Sequence, residues 1–295
     1  MNPYLLLKRL QVQNANALSS SFTFGFPAVT AFMGFAHALQ RHLNKLENLE
    51  DFKIKGVGIV SHQFAMQDHQ EGFNRTLKLT ANPLDKDGNR PSFVEEGRCH
   101  FTASLLLEVE NLPVGENAQR KFFRQIHDLI LGRMKLAGGD ILGLDQYKPV
   151  QVLQDEPANR RHLMPGHVLM ERRDLMVEAM EAGQDALDAL YGFLQVRHEC
   201  EQDDDGKVIW RSRRARSGWL VPIATGFHGI SELTENVLQA RDTETPHRFA
   251  ESLVTLGEFV MPHRLETLSD PIWRYQHTGD IYACVQQAAA TSTEF

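Results

Sequence analysis

The stretch "RCHFTASLLLEVE", residues 98–110, carries the clearest strand pattern in this 295-residue chain. Apolar side chains recur at every second position from Cys99 to Val109. The positions between them begin with polar residues, namely Arg98, His100, Thr102 and Ser104. Successive side chains of a strand point to opposite faces of its sheet. The period of two therefore predicts a strand with one face in a core and one face that is partly wet.

Outward from this strand, the sequence predicts alternating strands and helices. Strands are expected at 4–13 and 53–66, helices at roughly 28–46 and 118–132, and a further strand after the glycine-rich segment "GRMKLAGGDILG" (132–143). The resulting order, β-α-β-β-α-β, is typical of the ferredoxin-like split βαβ fold, an antiparallel sheet with two helices on one face. We therefore expect an α+β protein, with a ferredoxin-like, RRM-like domain over 1–148 and a mixed extension over 149–295 packed on it.

The apolar segment "FGFPAVTAFMGFAHAL", residues 24–39, is too short for a bilayer, which takes about 20 apolar residues. It contains Pro27, which suits the first turn of a helix, and it lacks the basic start of a signal peptide. We expect a helix buried on both sides, in a core or between a core and a partner. Cys99, Cys200 and Cys284 are widely spaced, which favours a reducing compartment. A cytoplasmic protein without membrane contact is expected.

The second half is less regular. Residues 172–194 have the spacing of an amphipathic helix, and 199–223 that of a hairpin turning at Asp205-Gly206. Thr245 and Pro246 resemble the start of another helix, with apolar side chains inward at Phe249, Leu253, Leu256 and Val260.

Enzyme signatures are lacking, since the chain has no GxSxG, HExxH or P-loop motif. We predict no catalytic residue, no cofactor and no metal site. His62, His69 and His100 are candidates for an acid–base site, but such histidines are more often partly buried and hydrogen-bonded.

A basic run is more informative. Between Lys207 and Trp219 the chain has five cations and no acidic residue, and Trp210 and Trp219 bracket the cluster. Arginine binds phosphate through two parallel hydrogen bonds, and aromatic rings stack on unpaired bases. The alternative is self-pairing, because the acidic segment "ECEQDDD" (199–205) lies across the predicted turn. The formal net charge of −7 does not decide between them, since binding depends on where positive charge is concentrated.

Two further segments are candidates for phosphate or base contacts. The segment "QNANALSSS" (13–21) is dense in amides and hydroxyls, which either bind a ligand or cap the following helix. In "GRMKLAGG" (132–139), Arg133 and Lys135 stand beside glycines whose N–H groups can approach a phosphate. The alternative there is a helix-ending turn with Gly138 as the C′ residue. The polar face of 98–110 lacks the stacking aromatics of an RRM, so RNA contacts are expected at loops and edges.

Nine segments in order, from "LQVQNANALSS" to "PHRLETLSD", carry a family resemblance over most of the chain. Others are "GFPAVTAFMGFAHALQR", "VEEGRCHFTASLLL" and "MKLAGGDIL". The sequence resembles the RAMP-type subunit of the type I-F CRISPR surveillance (Csy) complex, a Cascade-like ribonucleoprotein of antiviral defence.

This resemblance implies a non-catalytic role. The subunit would bind the 5′ handle of the crRNA, form a heterodimer with the large subunit, and anchor the first backbone subunit of the guide-bound filament. Target double-stranded DNA would be engaged nearby, and cleavage left to a recruited helicase-nuclease. The alternatives are a RAMP-type endoribonuclease that processes repeat RNA through a histidine, and a scaffold that binds only proteins.

Carried onto this chain, the resemblance and the motifs together give one set of RNA-binding candidates. These are Asn14, Asn16, Ser20, Ser21, Arg98, Lys135, Gly138, Gly139, Arg211, Arg213, Arg214 and Arg216.

Overall fold

A computed structural model describes residues 3–77, 79–80, 83–91, 93–202, 206–240, 242 and 244–286. The elements of the first half are β1 (Tyr4–Asn16), β2 (Leu18–Ser20), β3 (Thr23–Phe24), α1 (Val29–Leu43), β4 (Lys53–Met66), β5 (Asp68–Glu71), β6 (Asn74–Leu77), β7 (Leu79–Thr80), β8 (Val94–Glu95), β9 (Arg98–Glu110), α2 (Glu116–Arg133), β10 (Lys135–Leu136) and β11 (Gly139–Gly143).

The second half adds β12 (Val150–Leu153), β13 (His167–Glu171), α3 (Arg173–Glu181), α4 (Ala186–Leu194), β14 (Arg197–Gln202), β15 (Val208–Arg213), β16 (Leu220–Gly229), β17 (Ala250–Val260), β18 (Ile272–Thr278) and β19 (Ile281–Val285). Two short 3-10 helices lie at Pro157–Leu163 and Pro262–Arg264.

The predicted fold class is wrong. Eleven strands from both halves form one sheet, in the order β10-β11-β1-β9-β4-β13-β17-β16-β19-β18 with β12 paired to β1. Among the described strands of the first half, β4 pairs only with β9, so it would be the edge of a sheet built from residues 1–148 alone. In the structure that edge is occupied, because β4 pairs antiparallel with β18 at Val57 and Gly58 and with β13 at Val60 and Ser61. The second half therefore continues the sheet.

The strands that follow β4 in the sheet order form a closed ring with it. The path runs from β4 through β13, β17, β16, β19 and β18 and returns to β4, so these six strands form a ring. Glycine permits the close approach at the closure. A Cβ on Gly56 would lie 2.4 Å from Ile272 Cγ2 and 2.6 Å from the Trp273 carbonyl oxygen.

Both faces of the central strands are covered at one end of the sheet. On one face, α1 and α2 bury a large core that includes Leu5, Leu105 and Phe32. On the other face, the two 3-10 helices and their loops cover a second core that includes Leu6 and Leu106. Leu105, Leu106 and Leu107 are therefore all buried, whatever face they point to.

Several local predictions are confirmed and others are wrong. The strand at 98–110 has the predicted bounds, and the first two helices were placed within a few residues. The predicted helix after Thr245 is wrong, because 250–260 is the strand β17, paired on both edges. The helix predicted at 172–194 is two helices, separated by a turn in which Gly183 has φ 95°. No helix in the described part of the chain is long and apolar enough to cross a membrane.

Candidate nucleic-acid interface

The end of β1 brings several predicted residues together. Asn16 lies opposite Arg98 in the register of β1 and β9. Arg98 donates from Nη1 to the Asn14 carbonyl oxygen at 3.4 Å and forms an ion pair with Glu96. The Asn16 N–H donates to the Ala137 carbonyl oxygen at 2.8 Å, which joins this end to the turn between β10 and β11.

The turn between β10 and β11 shows that Gly138 does not end helix α2, which was one of the two interpretations of the segment 132–139. Helix α2 ends at Arg133, and Met134 is extended with φ −110° and ψ 151°, so Gly138 is not a helix C′ residue. Ala137 and Gly138 both have positive φ, 50° and 76°, as the tight turn of a β-hairpin requires. Gly138 is exposed at the tip, whereas Gly139 is buried. Lys135 lies 2.8 Å from Asp140, and both side chains are more than 60% exposed (64% and 63%).

The polar residues after β1 have local roles as well. The Asn16 amide accepts a hydrogen bond from the Leu18 N–H at 3.1 Å and donates to the Leu18 carbonyl at 3.0 Å. Ser20 Oγ lies 2.8 Å from Thr23 Oγ1 and accepts the Phe22 N–H. Ser21 is exposed beside them. The predicted capping of the helix by this segment is not seen, since the N-cap of α1 is Ala28, which makes no side-chain cap.

The wet face of the sheet adds residues that the predicted site did not include. His100 Nδ1 accepts the Asn14 N–H at 3.2 Å. The Gln67 amide lies 3.0 Å from His100 Nε2 and donates to Asn14 Oδ1 at 2.5 Å. Gln67 directly follows β4, and no pattern in the sequence around it predicted that it would contribute to the site. Gln11 and Gln13, by contrast, stood at polar positions of the predicted strand and are exposed.

His62 marks the border between the covered and the open part of that face. Its Nε2 lies 2.6 Å from Ser104 Oγ, and its Nδ1 bonds to the Pro165 carbonyl oxygen. Ser104 in turn accepts the Arg9 N–H at 3.0 Å. Burial lowers the pKa of His62, and its neutral form satisfies both ring nitrogens by accepting from Ser104 and donating to Pro165.

The predicted basic hairpin forms, as β14 and β15, but it is a separate two-stranded sheet. Arg211 lies 3.3 Å from Glu201, and Arg213 lies 3.3 Å from Glu199, so the self-pairing alternative is present. Arg214 and Arg216 are exposed beyond the strand. Asp205, at the predicted turn, lies outside the described residues.

The two tryptophans of the hairpin region differ. Trp210 is 69% exposed, whereas the Trp219 ring lies 5.1 Å from both the His167 and the Phe259 rings. The first is free to stack and the second is partly packed. The structure therefore gathers the candidates at 14–16, 98 and 135–139, and sets those at 211–216 on another element.

Comparison with known proteins identifies the class. Residues 5–284 match the family model described as CRISPR-associated protein (Cas_Csy2), so the chain belongs to this family of CRISPR-associated proteins. It is also 38% identical, over 92% of its own length and 91% of the relative's, to the CRISPR-associated protein Csy2 of Pseudomonas aeruginosa strain UCBPP-PA14. The resemblance seen in the sequence is confirmed at the level of a Csy-type CRISPR protein.

Proposed function

We propose that this chain is a non-catalytic subunit of a type I-F CRISPR RNA-guided surveillance complex and binds the 5′ handle of the crRNA. Membership of the Cas_Csy2 family supports the assignment to a Csy complex. The observation that carries RNA binding is the convergence of Asn14, Arg98, Lys135 and the Gly138 turn at one end of the sheet.

These groups suit a polyanion. Arg98 and Lys135 supply charge, and their ion pairs with Glu96 and Asp140 are not deeply buried. The exposed Lys135–Asp140 pair contributes about 0–1 kcal/mol, so a phosphate can replace Asp140 at small cost. The Arg98–Glu96 pair is about one-third exposed (31% and 32%) and is held through two guanidinium nitrogens, so a phosphate there has to displace a firmer partner. The exposed backbone of the Gly138 turn adds a close approach that a side chain would hinder.

Protein partners are proposed beside this site. Leu18, Phe22 and Phe24, on the β2–β3 hairpin, are 48%, 67% and 47% exposed. An exposed apolar patch next to a charged surface is typical of an interface. We propose that it faces the large subunit in a heterodimer or the first backbone subunit of the filament, with target double-stranded DNA nearby. The division of the chain near residue 148 and a cytoplasmic location also stay predictions.

The endoribonuclease alternative is not favoured. Both ring nitrogens of His62 are engaged with Ser104 and Pro165, and both nitrogens of His100 lie against Asn14 and Gln67. These contacts are those of structural histidines, with no free base presented to an RNA hydroxyl.

The test is to co-express the tagged full-length chain with the other complex subunits and a guide RNA, purify it at moderate salt, and sequence the bound RNA. We expect RNAs that share a constant 5′ segment, co-eluting with a larger protein. The double variant Arg98→Gln/Lys135→Gln should bind about tenfold more weakly, with a salt slope smaller by about two. Lys55→Gln, a half-exposed lysine of β4, is the control and should bind as wild type.

Two results would contradict the proposal. One is a purified complex without RNA. The other is shortening of a repeat RNA by the chain alone that stops when His62 or His100 is replaced by glutamine, because this would indicate the nuclease.

A further inference from the structure

We propose that the open face of the sheet binds one unstacked base of single-stranded RNA in a trough with neutral hydrogen-bonding walls. The trough has a volume of about 670 Å³, and its lining includes Gln11, Gln13, Gln63, His100, Thr102 and Leu142. This inference rests on the proposed RNA binding and adds a place where the base identity is read.

The strand register sets the floor of the trough. Thr102 of β9 lies directly opposite Gln11 of β1 and directly opposite Gln63 of β4. Directly opposite residues share a face of the sheet, so these three side chains form one row across the strands. His100 is two residues along β9 on the same face. In the other direction, Ser104 and Leu106 are fully buried, so the trough begins where the second core ends.

The lining has the chemistry of base recognition. A glutamine amide offers two donors and an acceptor, and threonine offers both in one hydroxyl. Gln11, Gln13 and Gln63 are all exposed, and Gln63 Oε1 accepts a long hydrogen bond of 3.5 Å from Thr102 Oγ1. None of the described residues lining the trough is an acid, and Arg98, which is ion-paired with Glu96, stands at the Asn14 end. The volume lies in the range of about 300–1,000 Å³ that small ligands occupy.

Two β-bulges hold the trough in shape. The β1–β9 register shifts between Leu7 and Leu10 and again between Val12 and Ala15. Arg9 and Asn14, inside these shifts, have φ of 54° and 56°, a conformation that costs about 1–3 kcal/mol outside glycine. Bulges re-aim side chains and occur next to functional sites. The Arg9 N–H bonds to Ser104 and the Asn14 N–H to His100, so the segment between them is fixed at both ends.

Single-stranded RNA is the occupant that these observations favour. The lining also includes Phe64, which is 41% exposed, and the His100 ring, so the groups that can hydrogen-bond a base edge stand beside aromatic rings. Recognition of RNA sequence takes place on splayed bases through their exposed edges. Phosphate contacts carry no sequence information, so loss of the trough should change selectivity more than affinity.

The experiment uses the full-length chain and a random pool of eight-nucleotide single-stranded RNAs. Retained RNA is quantified and sequenced for wild type, for Gln11→Met/Gln63→Met, and for Gln276→Met, an exposed glutamine of β18 outside the trough. Methionine keeps the length of the side chain and removes its hydrogen bonds. Thr102→Val is a separate variant of the trough lining. A thermal melt of each variant shows whether folding is kept.

We expect the wild type and Gln276→Met to enrich one base at one position. In the double variant, that enrichment should fall at least about fivefold, since a two-bond base contact discriminates by about 5–150-fold, while total retained RNA stays within about twofold. Unchanged base preferences in folded double variants, or RNA binding by wild type without any preference, would overturn the trough and leave the proposed function standing. Absence of any retained RNA would overturn both.

Discussion

Arg274 of β18 donates from Nε and Nη2 to Glu108 Oε2 of β9, at 3.1 and 2.7 Å. Strand β4 lies between these two strands, and Gly56 of β4 is opposite Glu108. A Cβ on Gly56 would lie 3.0 Å from Arg274 Cγ, so the absent side chain leaves the path by which the arginine crosses β4. The ion pair therefore fastens the closed ring of strands to the centre of the sheet.

Loss of this pair should destabilise the fold. Glu108 is 12% exposed and Arg274 is 31% exposed, so Arg274→Met leaves a largely desolvated carboxylate without its partner. We expect a loss of about 1–3 kcal/mol in the free energy of unfolding, measured by urea denaturation. Arg120→Met is the matched control, because its pair with Glu116 is exposed at 68% and 86% and should change stability by less than about 0.5 kcal/mol. Equal losses would mean that the Arg274–Glu108 pair contributes nothing particular.

Gly139→Ala should weaken the β1–β11 pairing. The new Cβ would lie 2.6 Å from the Gln13 carbonyl oxygen and 2.8 Å from the Ala15 nitrogen, and both are backbone atoms that cannot turn aside. Overpacking of this kind costs about 1–3 kcal/mol, and we expect the upper part of that range in thermal or urea unfolding. Gly132→Ala, in α2 with open space around it, should instead stabilise by up to about 1 kcal/mol. A neutral Gly139→Ala would show that β11 can shift.

Replacing Arg213 and Arg214 by alanine tests the basic hairpin. If the hairpin reaches the RNA, binding weakens and the salt slope of the affinity falls by about two, because two phosphate contacts are lost. Glu199→Gln/Glu201→Gln is the companion variant, since it frees Arg211 and Arg213 from their partners and should strengthen binding. Titrations at several salt concentrations give both values. Unchanged affinity in both variants would remove the hairpin from the site.

His62 should make stability fall in acid. Burial is the largest cause that lowers its pKa below 6.5, opposed by the Pro165 carbonyl and assisted by the charges of Arg9, Lys8 and His167. Because the folded pKa lies below the unfolded one, the unfolded chain takes up the proton first as pH falls. The contribution is therefore complete above about pH 6.5 and declines toward the folded pKa.

The measurement is the melting temperature between about pH 7 and pH 5, compared in wild type and His62→Gln. Glutamine can accept from Ser104 and donate to Pro165 without titrating, so the variant should lose less stability over this range. The pKa of His162 is also lowered, chiefly by burial, and His162→Gln is the control for a second titrating group. Parallel curves for wild type and His62→Gln would refute the assignment.

Local periodicity predicted local structure well and the partners of each strand poorly. The alternation from Cys99 to Val109 located β9, because a sheet with a covered face imposes that period on one strand. The period says nothing about which strand occupies the far edge of β4, and the pairing with Ile272 depends on a segment more than 200 residues away. The same limit explains why residues 250–260 were predicted as a helix and not as the strand β17. Leu253, Leu256 and Val260 have helical spacing, whereas the strand depends on pairing with β16, where Ile223 leaves no room for a Cβ on Gly257.

The candidate site was predicted in part. Asn14, Asn16, Arg98 and Lys135 were proposed from motifs and family resemblance, and the structure gathers them. Gln67 has no sequence signal, because its place beside His100 depends on pairing with β9, where its N–H donates to the Arg98 carbonyl oxygen at 2.9 Å. The arginines of the hairpin were predicted as a cluster of charge, but the sequence could not show that Glu199 and Glu201 would be their cross-strand neighbours.

Because β18 closes the ring at β4, one edge of β4 stays unpaired for much of the chain's synthesis. Residues 57–61 are synthesised early, and the β18 residues that cover Val57 and Gly58 come more than 200 residues later. At about 5–20 residues per second, that interval is on the order of 10–40 s. During it, an apolar strand edge stands open to pairing with any other nascent chain. For this protein, that strand edge is closed only when β18 has left the ribosome.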